Sequence, residues 1–227
     1  MEYIKYLSFI VPPFLVFLIF LYLRYKFRKQ PYPMLFQSFL WGAVSILLVL
    51  VVQLLANYFG LDKLGNLRRI LFYSLVVVAL FSELGKYFFL RIFIYPKDSF
   101  RTPVDGIIYA VMISLGFATM NNVFYFINLP HLEVDTTNAL SAGPANLVFG
   151  VLMGFFLGLG KMRNFRVIDS MTSLGAAVLF HALYTFCLLT FDTMLLWAFF
   201  IGSGIIAVSL CLAAIRMHED AKTETKI

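Results

Sequence analysis

The chain has 227 residues, of which 61% are hydrophobic and only 13% charged, and its net charge at pH 7 is +6. Soluble domains carry about 25% charged residues, so this composition excludes a water-soluble globular protein and a disordered one alike. The basic side chains are spread over short loops rather than gathered on one surface, which also argues against nucleic acid as a partner.

A helix needs roughly 20 apolar residues to cross the hydrocarbon core of a bilayer. Segments 6–23, 34–58, 69–90, 104–127, 142–160, 171–189 and 193–215 meet that length. The expected fold is therefore all-α: a polytopic bundle of about seven transmembrane helices, with residues 1–227 as a single integral membrane domain. The first segment could pass for a signal peptide, but "PPFLVFLIFLYLRYKFRKQ" runs straight into a basic cluster with no small-residue cleavage site, and it reads as an anchor. Pro12 and Pro13 should delay or bend its helix.

The loops after segments 1, 3 and 5 hold Arg24, Lys26, Arg28 and Lys29; Arg91, Lys97 and Arg101; and Lys161, Arg163 and Arg166. The polar tail 216–227 adds Arg216, Lys222 and Lys226, whereas the opposite side has only Lys5, Lys63, Arg68 and Arg69. The positive-inside rule then puts the N-terminus outside and the tail in the cytoplasm. The loop 128–141 contains no Lys or Arg, as suits an exterior loop.

Segment 3 contains "ALFSELGKYFFL", with Glu83 and Lys86 three positions apart. Ionisable residues at bilayer depth are costly and mark functional sites by default. Segment 4 repeats small or polar residues every fourth position: Gly106, Ala110, Ser114, Ala118 and Asn122. Segment 5 does the same with Asn146, Gly150, Gly154 and Gly158, and segment 6 with Ser173, Ala177, His181 and Thr185. Such stripes let helix backbones approach and bring polar side chains into the interface. One buried Asn or His is often only a packing hydrogen bond. However, Glu83, Lys86, Asn121, Asn122, Asn146 and His181 nearly exhaust the strongly polar side chains of the middle spans, and their convergence is expected.

The remaining polar and aromatic residues read more simply. Cys187 and Cys211 lie in apolar runs and behave as small hydrophobes. His131 belongs to the exterior loop, His218 to a solvated, frayed tail, and Trp41 and Trp197 to anchoring or packing.

The stretch 104–125 resembles the central motif of the PrsW family of intramembrane proteases, which has the form D-G-x-x-Y-G-x-x-x-G-x-G-F-A-x-x-E-N-x-x-Y. Asp105, Gly106, Tyr109, Gly116, Phe117, Ala118, Asn122 and Tyr125 fall in register. Upstream, Ser82, Glu83 and Lys86 match the family's E-E-x-x-K; downstream, His181, Ala182 and Thr185 match its H-A-x-x-T. The resemblance covers roughly residues 70–190.

It implies a bacterial plasma-membrane enzyme in which Glu83 and His181 activate a water to cut membrane-anchored, single-span proteins such as anti-sigma factors. A neighbouring base or cation can tune such a carboxylate toward general-base work. Lys86, Asn121, Asn122, Asn146, Ser82, Asp105 and Thr185 would form the supporting polar site, with asparagine amides holding the oxyanion. The alignment also puts Ser82, Asn121 and Asn146 where Glu, Glu and His are expected. A catalytic zinc takes three His, Glu, Asp or Cys ligands; Glu83 and His181 supply two, so no metal and no cofactor are expected. An inactive pseudoprotease that binds and regulates membrane proteins is the alternative. A proton-coupled transporter fits less well, since no inverted repeat relates the two halves. The discriminating quantity is whether Glu83 and His181 lie within hydrogen-bond or one-water reach.

Overall fold

The computed structural model describes residues 14, 18, 31–126, 136–163 and 166–224. Among these the chain is helical, without a strand, and five helices are long and apolar enough to cross a bilayer. They are α1 (Tyr32–Tyr58), α3 (Pro103–Phe126), α4 (Thr136–Met162), α5 (Arg166–Leu189) and α6 (Thr193–Glu224). The first expected span, 6–23, and His131 lie outside the described residues, apart from Phe14 and Leu18.

The expected third span is helical but broken in type. Its pieces, together α2, are Leu67–Phe72 (α), Tyr73–Leu80 (π), Phe81–Phe89 (α) and Leu90–Ile94 (π). The short α-helical turn that carries Ser82, Glu83 and Lys86 is thus bracketed by two π-helical stretches. π-bulges are rare and collect at functional sites because they re-aim the side chains beside them. Here Ser82, Glu83, Gly85 and Lys86 all end up buried.

The core is the pair α3 and α4, both mostly buried, with α1 and α6 mostly exposed on its flanks. Close approach explains the small-residue stripes. A Cβ on Gly154 would fall onto the Gly106 carbonyl of α3 and lie 2.5 Å from Ile107 Cα, so only glycine permits this contact. Gly85 has the same duty between α2 and α1, where an added Cβ would sit 2.9 Å from the Ser45 carbonyl oxygen. Gly154→Val is expected to force α3 and α4 apart, at a cost of about 1–3 kcal/mol from overpacking. Unfolding of the detergent-solubilised protein, compared with Gly175→Ala where nothing lies within 4 Å, measures it.

Two expectations for the ends of the bundle are corrected. The segment from 216 is not a frayed tail, because α6 continues as helix to Glu224 and His218 Nδ1 lies 3.3 Å from Thr102 Oγ1. Asp105 does not join a polar site. It lies in the first turn of α3, and its Oδ2 accepts hydrogen bonds from the Arg101 amide (3.0 Å), the Thr102 amide (2.8 Å) and the Thr102 hydroxyl (2.9 Å). A carboxylate there satisfies amides at a helix start that have no intrahelical partner. Asn121 is at the other end of the same helix, about 24 Å away at 1.5 Å per residue.

Trp41 packs as expected, stacked on Phe89 and Phe93 at centroid distances of 4.9 and 4.4 Å. Trp197 is exposed. Cys187 and Cys211 are free thiols.

Candidate active site

Helices α2 and α5 bring three buried ionisable side chains together, Glu83, Lys86 and His181, and α4 adds Asn146. Glu83, on α2, is fully buried, and its Oε1 is shared by two donors. Lys86 Nζ, one turn along, lies 2.5 Å from it, and His181 Nδ1, on α5, lies 2.6 Å from it. The expected proximity of Glu83 and His181 is therefore a direct hydrogen bond. The carboxylate's second oxygen, Oε2, is buried without a hydrogen-bond partner among the described residues.

Lys86 is itself fully buried, and its ammonium is held on several sides. Besides Glu83 it donates to Asn146 Oδ1 of α4 at 2.9 Å, and it stands over the ring faces of Phe117 (4.8 Å) and Phe149 (5.5 Å). A cation over an aromatic face is attracted by the ring quadrupole, more so when desolvated. Asn146 is fixed in turn, since its Nδ2 donates to the Ala142 carbonyl at 2.9 Å. Close by, Pro144 sits inside α4 and removes a backbone donor from that turn.

The His181 ring is clamped as well. Phe149 stacks on it at 4.7 Å with 15° between the planes, and Tyr184 packs at its side at 6.3 Å. The Tyr184 hydroxyl is 2.7 Å from Ser141 Oγ, which ties α5 to the start of α4. Ser173, lower on α5, donates to the Met153 carbonyl at 2.7 Å and fastens the same two helices. With Nδ1 on Glu83, Nε2 is the ring nitrogen left for chemistry.

His181 lines a cavity of about 790 Å³. Ser82, Asn121, Asn146, Tyr184 and Thr185 line it too, and it extends to Asp62, Leu64 and Asp192 in the connections after α1 and before α6. The cavity thereby runs from the buried site toward the end of the bundle that carries these two connections. Of the expected supporting residues, Lys86 lies behind the wall, bonded to Glu83. Asn122 is buried without lining the cavity, so Asn121 is the member of that pair that faces it. Phe149 and Tyr184 went unnoticed in the sequence, and Phe117 was singled out only as a motif match. The first two had a findable signal, each one helical turn beyond a singled-out polar residue, at Asn146+3 and His181+3.

Similarity to known proteins agrees with this geometry. The family model described as "PrsW family intramembrane metalloprotease" matches residues 30–216. The protein named Protease PrsW of Halalkalibacterium halodurans is 33% identical over 79% of this chain and 81% of its own length. That of Bacillus subtilis is 31% identical over 78% and 80%, and that of Geobacillus kaustophilus 29% over 93% and 90%. No solved structure matches the chain.

The family description implies a metal, and the residues present do not fit one. A catalytic zinc is held by three ligands of the His, Cys, Asp or Glu type and keeps one open position. Among the described residues no group of three such side chains comes together. Glu83 Oε1 is taken by an ammonium and an imidazole, and the two carboxylates that share the cavity lining with His181, Asp62 and Asp192, form no metal-ligating group with it among the described residues. With apolar helices long enough to span, a matching family model over most of its length and these relatives, the chain is a multi-pass protein of the bacterial cell membrane and belongs to the PrsW family of intramembrane proteases.

Proposed function

We propose that this chain is an endopeptidase that cuts membrane-anchored, single-span proteins at a bond presented through the mouth of the cavity. In this reading His181 is the base and Glu83 the group that holds it. One observation carries it: His181 is gripped at Nδ1 by a buried carboxylate while its ring lines a cavity that reaches the loops.

The proton inventory follows from the partners. A carboxylate oxygen bridging an ammonium can only accept, so His181 Nδ1 carries the proton and donates, and Nε2 keeps its lone pair. A water in the cavity gives a proton to Nε2 as its oxygen bonds to the scissile carbonyl carbon. That proton passes to the amide nitrogen as the C–N bond breaks, leaving a carboxylic acid and an amine. The Phe149 stack keeps the imidazole plane fixed through both transfers.

The tetrahedral oxyanion needs donors aimed into the cavity. Asn121 is the best placed, because it lines the cavity and has no hydrogen-bond partner among the described residues. Asn146 contributes less, since its amide nitrogen is already spent on Ala142. The substrate strand enters from the loop end, past Asp62 and Asp192.

Cells carrying the wild-type chain are expected to release membrane-protein fragments that cells carrying His181→Gln, at equal abundance, do not. N-terminal peptide profiling of the two reads this directly. Identical profiles would remove the protease reading and leave a chain that binds its clients without cutting them.

A further inference from the structure

The family description implies a metal ion, and the arrangement of charges around Glu83 argues for a different occupant. We propose that the site of this chain holds no metal ion and that the Lys86 ammonium is its resident cation. The inference rests on the hydrolytic reading above and specifies what supplies the positive charge at that site.

Two seats for a metal can be tested against the geometry. The first is at Glu83. Oε1 already lies between Lys86 Nζ at 2.5 Å and His181 Nδ1 at 2.6 Å. A dication there would stand beside an ammonium that is fully buried and has nowhere to withdraw to. Its other contacts are Asn146 Oδ1 at 2.9 Å and the faces of Phe117 and Phe149, all of which hold it in place. Oε2 is the Glu83 oxygen left without a partner among the described residues, but Glu83 is fully buried and does not line the cavity. A metal on Oε2 would have no open position for water, which a catalytic metal requires.

The second seat is at His181 Nε2, with Glu83 behind the imidazole as the carboxylate that orients a metal-bound histidine. That seat faces the cavity and does offer an open position. Asp62 and Asp192 line the same cavity but, among the described residues, gather with His181 into no metal-ligating group, which leaves hydroxyls and carboxamides, and Asn146 Oδ1 is already committed to Lys86. One imidazole with neutral oxygens is a weak set for zinc or for the other transition metals that favour imidazole and thiolate. Lys86 supplies what a metal would otherwise provide at Glu83: a fixed positive charge beside the carboxylate oxygen that also bonds His181.

The test separates metal content from activity. Wild-type protein and His181→Ala, purified in detergent without chelators, are analysed for zinc, manganese, iron and cobalt by mass spectrometry, before and after dialysis against Zn²⁺. Thermal unfolding is followed with and without Zn²⁺, since a ligand that binds the folded state raises its apparent stability. The expected result is metal far below one per chain, and Zn²⁺ effects that are the same in both proteins. Stoichiometric metal in wild type that is absent from His181→Ala, or a Zn²⁺-induced rise in melting temperature found only in wild type, would overturn the proposal. Fragment release by intact cells treated with a membrane-permeant chelator gives the second arm: persistence supports a metal-free site, and loss restored by Zn²⁺ alone overturns it. Metal-free protein that releases no fragments would uphold the proposal on metal and sink the hydrolytic reading instead.

Discussion

Glu83→Gln is expected to abolish fragment release while the protein still accumulates and folds. Gln keeps the length and shape of the side chain but replaces an acceptor-only carboxylate with a group that can also donate. His181 Nδ1 can then accept from the amide, which moves the ring proton to Nε2 and removes the lone pair the water needs. Loss of the orienting carboxylate in a serine-protease triad costs on the order of 10⁴ in kcat by this same change of tautomer. The effect here should be of that size, because Glu83 is the hydrogen-bond partner of Nδ1 among the described residues and the Phe149 stack opposes turning of the ring. Release measured by N-terminal profiling, with abundance and melting temperature as controls, checks it. A variant that releases fragments at the wild-type rate would show that the carboxylate does not set the histidine.

Lys86→Met is expected to have the largest effect on stability. Breaking a buried pair by removing one partner strands a charge in a medium that cannot solvate it, at a cost of about 3–5 kcal/mol. Glu83 would keep only His181 among the described residues, since its Oε2 has no hydrogen-bond partner there. Asn146 Oδ1 would lose its donor too. The double variant Glu83→Gln/Lys86→Met removes both charges and should recover much of the loss, because replacing a whole buried pair is often close to neutral. It should still be inactive. Unfolding of wild type, both single variants and the double variant in one detergent measures this. A Lys86→Met protein as stable as wild type would mean that the ammonium is not needed to compensate Glu83.

Much of this site could be read from residue types and spacing. Glu83 and Lys86 are three apart in an apolar run, which already implies a paired carboxylate. The four-residue repeats through Asn146 and His181 place these two on helix faces that close against a neighbour, and there they are found. What stayed out of reach depends on tertiary context. "YSLVVVAL" contains neither Gly nor Pro, so nothing local announces that Tyr73–Leu80 is π-helical. Phe149 and Phe117 are two among 26 phenylalanines, and only the assembled bundle reveals which rings hold His181 and Lys86. Asp105 misled because its place in a family motif suggested chemistry. The preceding Arg101 and Thr102 amides, which need an acceptor at the start of α3, explain it locally.

The central claim is that Glu83 and His181 act as one unit, and a double-mutant cycle tests it most directly. Release of the same wild-type fragments is measured for Glu83→Gln, His181→Gln and the variant carrying both. Groups that act together are strongly non-additive, as removal of triad members singly and jointly shows in serine proteases. The account predicts that each single variant loses about as much as the double. Losses that multiply in the double variant would mean that the two residues contribute independently, and the dyad would have to be abandoned.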